Sequence, residues 1–446
     1  MANPSLSEYL AQSQRGLYQS VFGPEYLQKQ TYFTVDTATG IFNTTYGRKV
    51  WQALNNQTRF FNAIPRVVWG NTAGWRVRTD RGAGRSRPVT ETGDLPTVDI
   101  SDIQTVSSLP RIVSTTFGAS VKSVFTAQLE GGVGDVLALE NEIAQLDHVK
   151  EINEELLAGS AYITSAGATT SFTVPAAIAK HFKVGDAVGQ RDISATAFDR
   201  TSGSLVSAVN TTTGVVTVAT GTTFADGDAA FIYSRAGLTS IDDIIMEDAA
   251  SVGGVAGGVN ARAYDLTQAG RAAGGWNAGA SVSYNSGTGR ALSLTLLDTA
   301  IQKIRENGGE PKLILLGHDQ YFNLERLLNS AQRYLGQEAY EVGVGGERTY
   351  PGTRTGLVLA TYQGIPILPD ADVPKSVASN DAVLGSNIYV LDTDYLEIAV
   401  AQPTQYVENR DYFAANALVV RGLLYTMAEM RCKNIWVQAK IADLNA

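Results

Sequence analysis

An α+β fold is what this 446-residue sequence predicts, and three stretches predict it. Residues 135–157 repeat apolar side chains at Val136, Leu139, Ile143, Leu146, Val149, Ile152 and Leu156, the three-and-four spacing of one helical face. Residues 160–236 turn to Thr, Ser, Ala, Val and Gly in short alternating runs, the pattern of a small β-domain. Residues 293–328 then place a buried strand, Lys312 to Leu316, between two amphipathic helices.

The first 60 residues are polar, with scattered aromatics such as Tyr9, Phe22, Phe42 and Trp51 and no sustained period. Such a segment buries too little of its own surface to fold alone, so it reads as an arm whose aromatics pack on another domain or subunit. Between Trp69 and Val121, strands are expected at 74–79, 97–101 and 112–117, where apolar and polar residues alternate. Residues 80–94 carry three glycines and almost nothing to bury, so a long hairpin or loop is expected there. Arg76, Arg78, Arg81, Arg85 and Arg87 make its outgoing limb basic, and Glu91, Asp94, Asp99 and Asp102 make its return acidic. A basic run is ordinarily a solvated face. The sharper reading is a set of subunit contacts, in which planar guanidinium forks seek carboxylates on a neighbour. A nucleic-acid patch is the weakest reading, because only Trp75 accompanies these arginines as a stacking platform.

The helix of 135–157 should run roughly 35 Å at about 1.5 Å per residue, a spine lying across a sheet. Asp135 is expected to cap its start and a left-handed Gly159 its end. Glu140, Glu142, Asp147, Glu151, Glu154 and Glu155 are assigned to its solvent face. Within the β-domain, strands are expected at 171–174, 204–209, 214–219 and 229–234. Phe182 and Phe224 each open a Phe-x-x-Gly-Asp-Ala pattern that reads as a turn. A helical start follows at 240–248, then a glycine-rich stretch around Trp276. After the α/β passage, whose first helix is stopped by Gly308 and Gly309, strands are expected at 357–360, 365–368, 387–391 and 396–400, with a strand-rich tail from 413 to 441.

Composition narrows the function. A net charge of -9 argues against a protein that grips nucleic acid, which needs a basic field. One cysteine, Cys432, excludes an internal disulfide framework and a four-thiolate zinc site. Neither a secretion signal nor a membrane span is read in the sequence. The three histidines, His148, His181 and His318, lack metal-ligand spacing and are assigned to surface or cap positions. No nucleophile elbow, phosphate-binding loop or complete dinucleotide fingerprint occurs. No catalytic residue, cofactor or metal is therefore expected, although carboxylates alone leave an acid–base enzyme with an accessory β-domain open.

The order of parts resembles the major capsid proteins of tailed viruses, with the Hong Kong 97-like fold. The local matches are Gly308 to Leu328, where a strand hands over to a helix bearing Tyr321 and a Leu327-Leu328 pair; Tyr362 to Ile367 with Asp370, Val373, Pro374 and Ile388 to Asp392; and Arg431 to Ile441. The resemblance implies an N-terminal arm at 1–64, an extended loop with peripheral-domain strands at 65–121, and a peripheral domain with the spine helix at 122–159. It further implies an inserted β-domain at 160–236, an axial domain at 237–412, and strands returning to the peripheral domain at 413–446. It also implies self-association in hexamers and pentamers, scaffolding and portal partners with a decoration protein possible in such shells, packaged double-stranded DNA held without sequence-specific binding, and no membrane partner. The location implied is the virion capsid, with assembly in the host cytoplasm. Some relatives cross-link through a lysine of the extended loop. No lysine lies between Lys49 and Lys122, so that bond cannot form from this loop. An encapsulin-type nanocompartment shell is the alternative of the same fold.

Overall fold

The computed structural model describes residues 58–70, 74–78, 86, 88–96, 100–101, 103–127, 136–159, 161–191, 204–219, 224–245, 264, 281–283, 285, 288–331, 361–377, 382–410 and 418–446. The aromatics of the arm, Asp135, Trp276 and the strand expected at 357–360 lie outside the described residues.

In chain order the elements begin with helix α1 (Arg59–Ala63) and strands β1 (Arg66–Val68), β2 (Gly74–Arg78), β3 (Ile103–Ser107) and β4 (Arg111–Ser120), followed by helices α2 (Val121–Ala127) and α3 (Val136–Leu156). Next come β5 (Ala161–Ile163), β6 (Ala166–Gly167), β7 (Ser171–Thr173), α4 (Ala176–Ala179), β8 (Ala187–Arg191), β9 (Ser204–Asn210), β10 (Val215–Val218), β11 (Ala229–Ser234) and α5 (Ile241–Ile245). The remainder comprises β12 (Ser281–Ser283), α6 (Leu294–Glu306), β13 (Leu313–Leu316), α7 (His318–Ala331), β14 (Thr361–Tyr362), β15 (Ile365–Pro369), β16 (Lys375–Val377), β17 (Val383–Ser386), β18 (Ile388–Leu391), β19 (Leu396–Asn409), β20 (Val419–Cys432) and β21 (Ala439–Ile441).

Two units are distinguished. Val113–Lys150 and Gln402–Thr426 belong to the first; Gln57–Ile112, Glu151–Ala401 and Met427–Ala446 form the second. One four-stranded sheet has the order β1-β19-β20-β4. In the first unit, Phe117 of β4 stacks on Tyr406 of β19, with ring centroids 6.0 Å apart. Gly422, on the strand between them, leaves room for this stack, because a Cβ there would lie 2.3 Å from the Phe117 ring.

The spine helix forms with the expected period, and most of its expected face is buried or half-buried. Val136, Ala144, His148, Ile152 and Leu156 are buried, whereas Leu146 is 42% exposed. His148 is 1% exposed, not a surface residue, because both its ring nitrogens are satisfied inside. Nδ1 lies 3.0 Å from Thr115 Oγ1 of β4 and Nε2 2.7 Å from Thr426 Oγ1 of β20. This polar bridge holds the helix on the sheet, an arrangement that apolar periodicity does not report. Replacing Thr426 by Val should cost about 2 kcal/mol, because a buried ring nitrogen loses its partner while the volume stays nearly constant. Chemical denaturation of the subunit measures this, and a loss indistinguishable from zero would assign the seating of the helix to apolar packing alone.

Of the strand expected at 97–101, residues 97–99 lie outside the described residues; the strand that is described, Ile103–Ser107, pairs antiparallel with β2, Trp75 opposite Val106 and Arg78 opposite Ile103. Val106, 2% exposed, is its buried position. Gly159 does not adopt a left-handed conformation. Its hydrogen serves a close approach, since a Cβ would lie 1.8 Å from the Tyr162 hydroxyl.

In the second unit, β5 to β11 build a seven-stranded antiparallel sheet of order β5-β11-β8-β9-β10-β7-β6. The repeated Phe-x-x-Gly-Asp-Ala pattern makes two equivalent turns. Gly185 and Gly227 take φ of +95 and +82, which an L side chain rarely adopts. Asp186 accepts the Lys183 N–H at 2.9 Å and Asp228 the Ala225 N–H at 2.8 Å. Phe182 and Phe224 are each 1% exposed and meet Phe172 at 5.3 and 4.6 Å in the core. The turns deliver β8 and β11, which pair with each other.

A six-stranded mixed sheet, β12-β21-β18-β13-β15-β14, forms the other layer of this unit. Leu297, Ile301 and Ile304 of α6 and Leu324 of α7 pack with Ile314, Leu316, Ile388, Val390 and Ile441 on one face. Leu315, Tyr389 and Leu391, which alternate with them, are also fully buried. A strand covered on both faces explains the unbroken apolar run Leu313–Leu316. Gly308, at φ +83, ends α6, and the Gly309 N–H donates back to Ile304 O at 2.9 Å.

Candidate functional site

Three polar features stand out in the second unit. The first gathers around Arg235, just beyond β11. Its side chain is 7% exposed and pairs with Asp243 of α5, itself 7% exposed. The guanidinium also donates to Gly159 O at 2.7 Å, Ala158 O at 3.2 Å and His181 O at 3.3 Å. A cation therefore sits at the carboxyl end of the spine helix, where unpaired carbonyls and the helix dipole favour it. His181 is 5% exposed, again not a surface position, and burial pushes its pKa well below the usual imidazole range.

Next along α5, Asp242 pairs with Lys440 of β21 and accepts the Tyr389 hydroxyl at 2.7 Å. Asn153, on the last turn of the spine helix, accepts the Phe61 N–H at 3.0 Å and donates to Asp372 at 2.6 Å. Asp370 accepts the Phe60 N–H at 3.1 Å. These links tie the helix end to α1 and to the loop after β15.

The second feature is a small cavity whose lining includes Ser108, Arg111, Thr239, Tyr264 and Glu429. Glu429 on β20 is 2% exposed, and its Oε1 accepts the Thr239 N–H at 2.8 Å. Burial pushes its pKa up to about 7 against the weaker pull of that hydrogen bond and of Arg111, whose Nε lies 3.7 Å away. Glu155 was assigned to the solvent face of the spine helix. Its carboxylate instead accepts the adjoining Leu238 N–H at 3.0 Å, and burial raises its pKa to about 7 as well. Consecutive amides are thus held by carboxylates from two elements. Both acids serve the backbone, so the arrangement fastens a segment. Among the described residues, no group of three or more His, Cys, Asp and Glu side chains is placed to hold a metal ion. No described helix is long and apolar enough to cross a membrane.

The third feature is the hairpin. Arg76 and Arg78 alternate on the exposed side of β2, with Trp75 and Val77 on the other. Arg81, Arg85 and Arg87 lie outside the described residues, so the structure brings together only the first two of the five arginines. Beyond residue 94 the chain carries exposed apolar groups: Leu95 is 81%, Ile100 83%, Ile103 57% and Leu109 62% exposed.

Sequence reasoning passed over Arg235, Asp242, Asp243, Glu429 and Arg431. Their signal was charge inside apolar context. Asp242 and Asp243 sit between Ile241 and Ile244, and Glu429 and Arg431 interrupt a strand of Met, Ala and Cys.

A family model described as SU10 major capsid protein matches residues 28–426. Among solved structures, the chain is similar to a subunit of the cyanophage A-1(L) capsid asymmetric unit at 13% identity and a TM-score of 0.53, covering 90% of this chain and 96% of that one. It is also similar to the capsid of a native GTA particle at 11% identity and a TM-score of 0.42, covering 96% and 99%. A third similar structure is the holo-SrpI encapsulin complex from Synechococcus elongatus, at 10% identity and a TM-score of 0.41, covering 92% and 96%. No curated protein matches by sequence. The fold is the Hong Kong 97-like capsid fold.

Proposed function

The chain belongs to the SU10 major capsid protein family, a family of shell-forming structural proteins of virion capsids, and from that premise we infer that it tiles in hexamers and pentamers into an icosahedral shell around a double-stranded DNA genome. The family match across residues 28–426 carries this reading. Residues 237–412 serve as the axial domain around the symmetry axes, 122–159 and 413–446 as the peripheral domain, and 1–64 with 65–121 as the arm and loop that overlap neighbours. The 160–236 sheet is the inserted domain and the surface offered to any decoration protein. Assembly takes place in the host cytoplasm with scaffolding and portal proteins. A net charge of -9 suits a container whose wall must not bind its contents tightly, since phosphate contacts scale with the cations offered.

Negative-stain microscopy of the purified protein tests the reading. Large closed particles are expected; a monomer or small oligomer as the end state of assembly would overturn it. The hairpin arginines give a finer test. Replacing Arg81, Arg85 and Arg87 together by Ala should leave the subunit soluble but lower the thermal stability of assembled particles, most visibly at low salt, where charge contacts are least screened. Particle yield and melting unchanged at low salt would return these residues to the role of a solvated face.

A further inference from the structure

We propose that Arg431 is a receptor for a carboxylate supplied by a second copy of this chain. Its guanidinium carbon lies 3.8 Å from the ring centroid of Trp69 and 5.9 Å from that of Trp75. Tyr264 meets Trp75 edge to face at 5.0 Å. The Tyr264 hydroxyl donates to Met430 O and accepts the Cys432 N–H, both at 2.9 Å, fixing the backbone on either side of the arginine. The side chain is thus held between aromatic groups on a braced strand, with 8% of the residue exposed.

Among the described residues, Arg431 has no hydrogen-bond acceptor for Nε or Nη2, and Trp75 has none for Nε1. Stacking on indole recovers part of the cost of burying a cation, but not the lost hydrogen bonds of its N–H groups. Nε and Nη2 form one edge of the guanidinium, the edge that a single carboxylate fills with both oxygens. The acid on the same face of the strand, Glu429, is already committed to Thr239 and Arg111. Among the described residues no acid fills that edge, and one from a neighbouring copy would.

Charge complementarity favours another copy as its source, since the chain carries 44 acidic against 35 basic side chains. A neighbour in a shell presents such an acid at high effective concentration, which a dissolved anion lacks. The two nitrogens are buried in the lone subunit, so an incoming acid requires that edge to be uncovered during assembly. This inference rests on the shell-forming reading.

The test compares wild type with Arg431→Met and Arg431→Lys, scoring subunit melting, particle yield and particle dissociation in denaturant, with electron cryomicroscopy of wild-type particles. Methionine removes a buried unpaired charge while filling similar space, so the subunit should melt no lower than wild type. Particle dissociation should nevertheless accelerate by about tenfold or more, with lysine in between. Density from an Asp or Glu of a neighbouring subunit should reach the Nε and Nη2 edge. Arg431→Met particles as durable as wild type, parallel losses in subunit and particle, or density for water, a detached ion or a genome phosphate at that edge would each overturn the inference alone. Failure of the wild-type chain to form particles would overturn it together with the shell-forming reading.

Discussion

Replacing Arg235 by alanine should cost the subunit about 3–5 kcal/mol, the range for breaking a buried ion pair from one side. The magnitude follows from what is stranded. Asp243, 7% exposed, loses its counterion. The carbonyls of Ala158, Gly159 and His181 lose a shared donor at the end of the spine helix. The remaining bond to Asp243, from the Ser240 N–H at 3.1 Å, is one neutral donor against a full charge. Arg235→Met combined with Asp243→Asn should recover much of the loss, because it removes the uncompensated charge. Lysine at 235 should rescue less than its charge suggests, since one ammonium cannot span the acceptors served by the fork. Equilibrium unfolding of the isolated subunit in urea measures all of these. A loss for Arg235→Ala below about 1 kcal/mol would place the pair among solvated ones and remove the helix-end anchor.

This dependence also explains what could be read from the sequence. Apolar spacing located the helix later found at Val136–Leu156, because a long period survives a few wrong faces. It missed positions at the edge of the buried face, since His148 and Asn153 turn inward with their partners while Leu146 turns out. Periodicity measures hydrophobicity; a satisfied polar side chain can occupy the interior without contributing to it. The two Gly-Asp turns were legible for the opposite reason, because their chemistry is local. Glycine supplies the positive φ, and the aspartate caps an amide three residues earlier.

The hairpin was legible in part. Five arginines marked its outgoing limb, but the position of its return strand depended on where Val106 could be buried, a tertiary fact. The buried ion pairs were least legible of all. Arg235 meets Asp243 nearby in sequence, yet Lys440 meets Asp242 nearly two hundred residues away. Nothing local distinguishes those charges from solvated ones except their apolar neighbours.

Glu429 allows the second large effect to be read as a pH dependence. Burial holds its pKa at about 7 against an ordinary glutamate value of 4.5. Between those values the folded chain binds more protons than the unfolded chain, so this group's contribution makes stability fall as pH rises. The stabilising proton is fully present below about pH 4.5 and lost by about pH 8, a difference of at most about 3 kcal/mol. Glu429→Gln keeps an acceptor for the Thr239 N–H and cannot ionise. Relative to wild type, the variant should therefore be nearly neutral at pH 5 and progressively more stable toward pH 8, as read from paired melting curves. Glu155 raises the same dependence in both proteins, so the difference between them isolates Glu429. A difference that stays flat from pH 5 to pH 8 would mean that Glu429 remains ionised throughout, with Arg111 and the two backbone amides outweighing its burial.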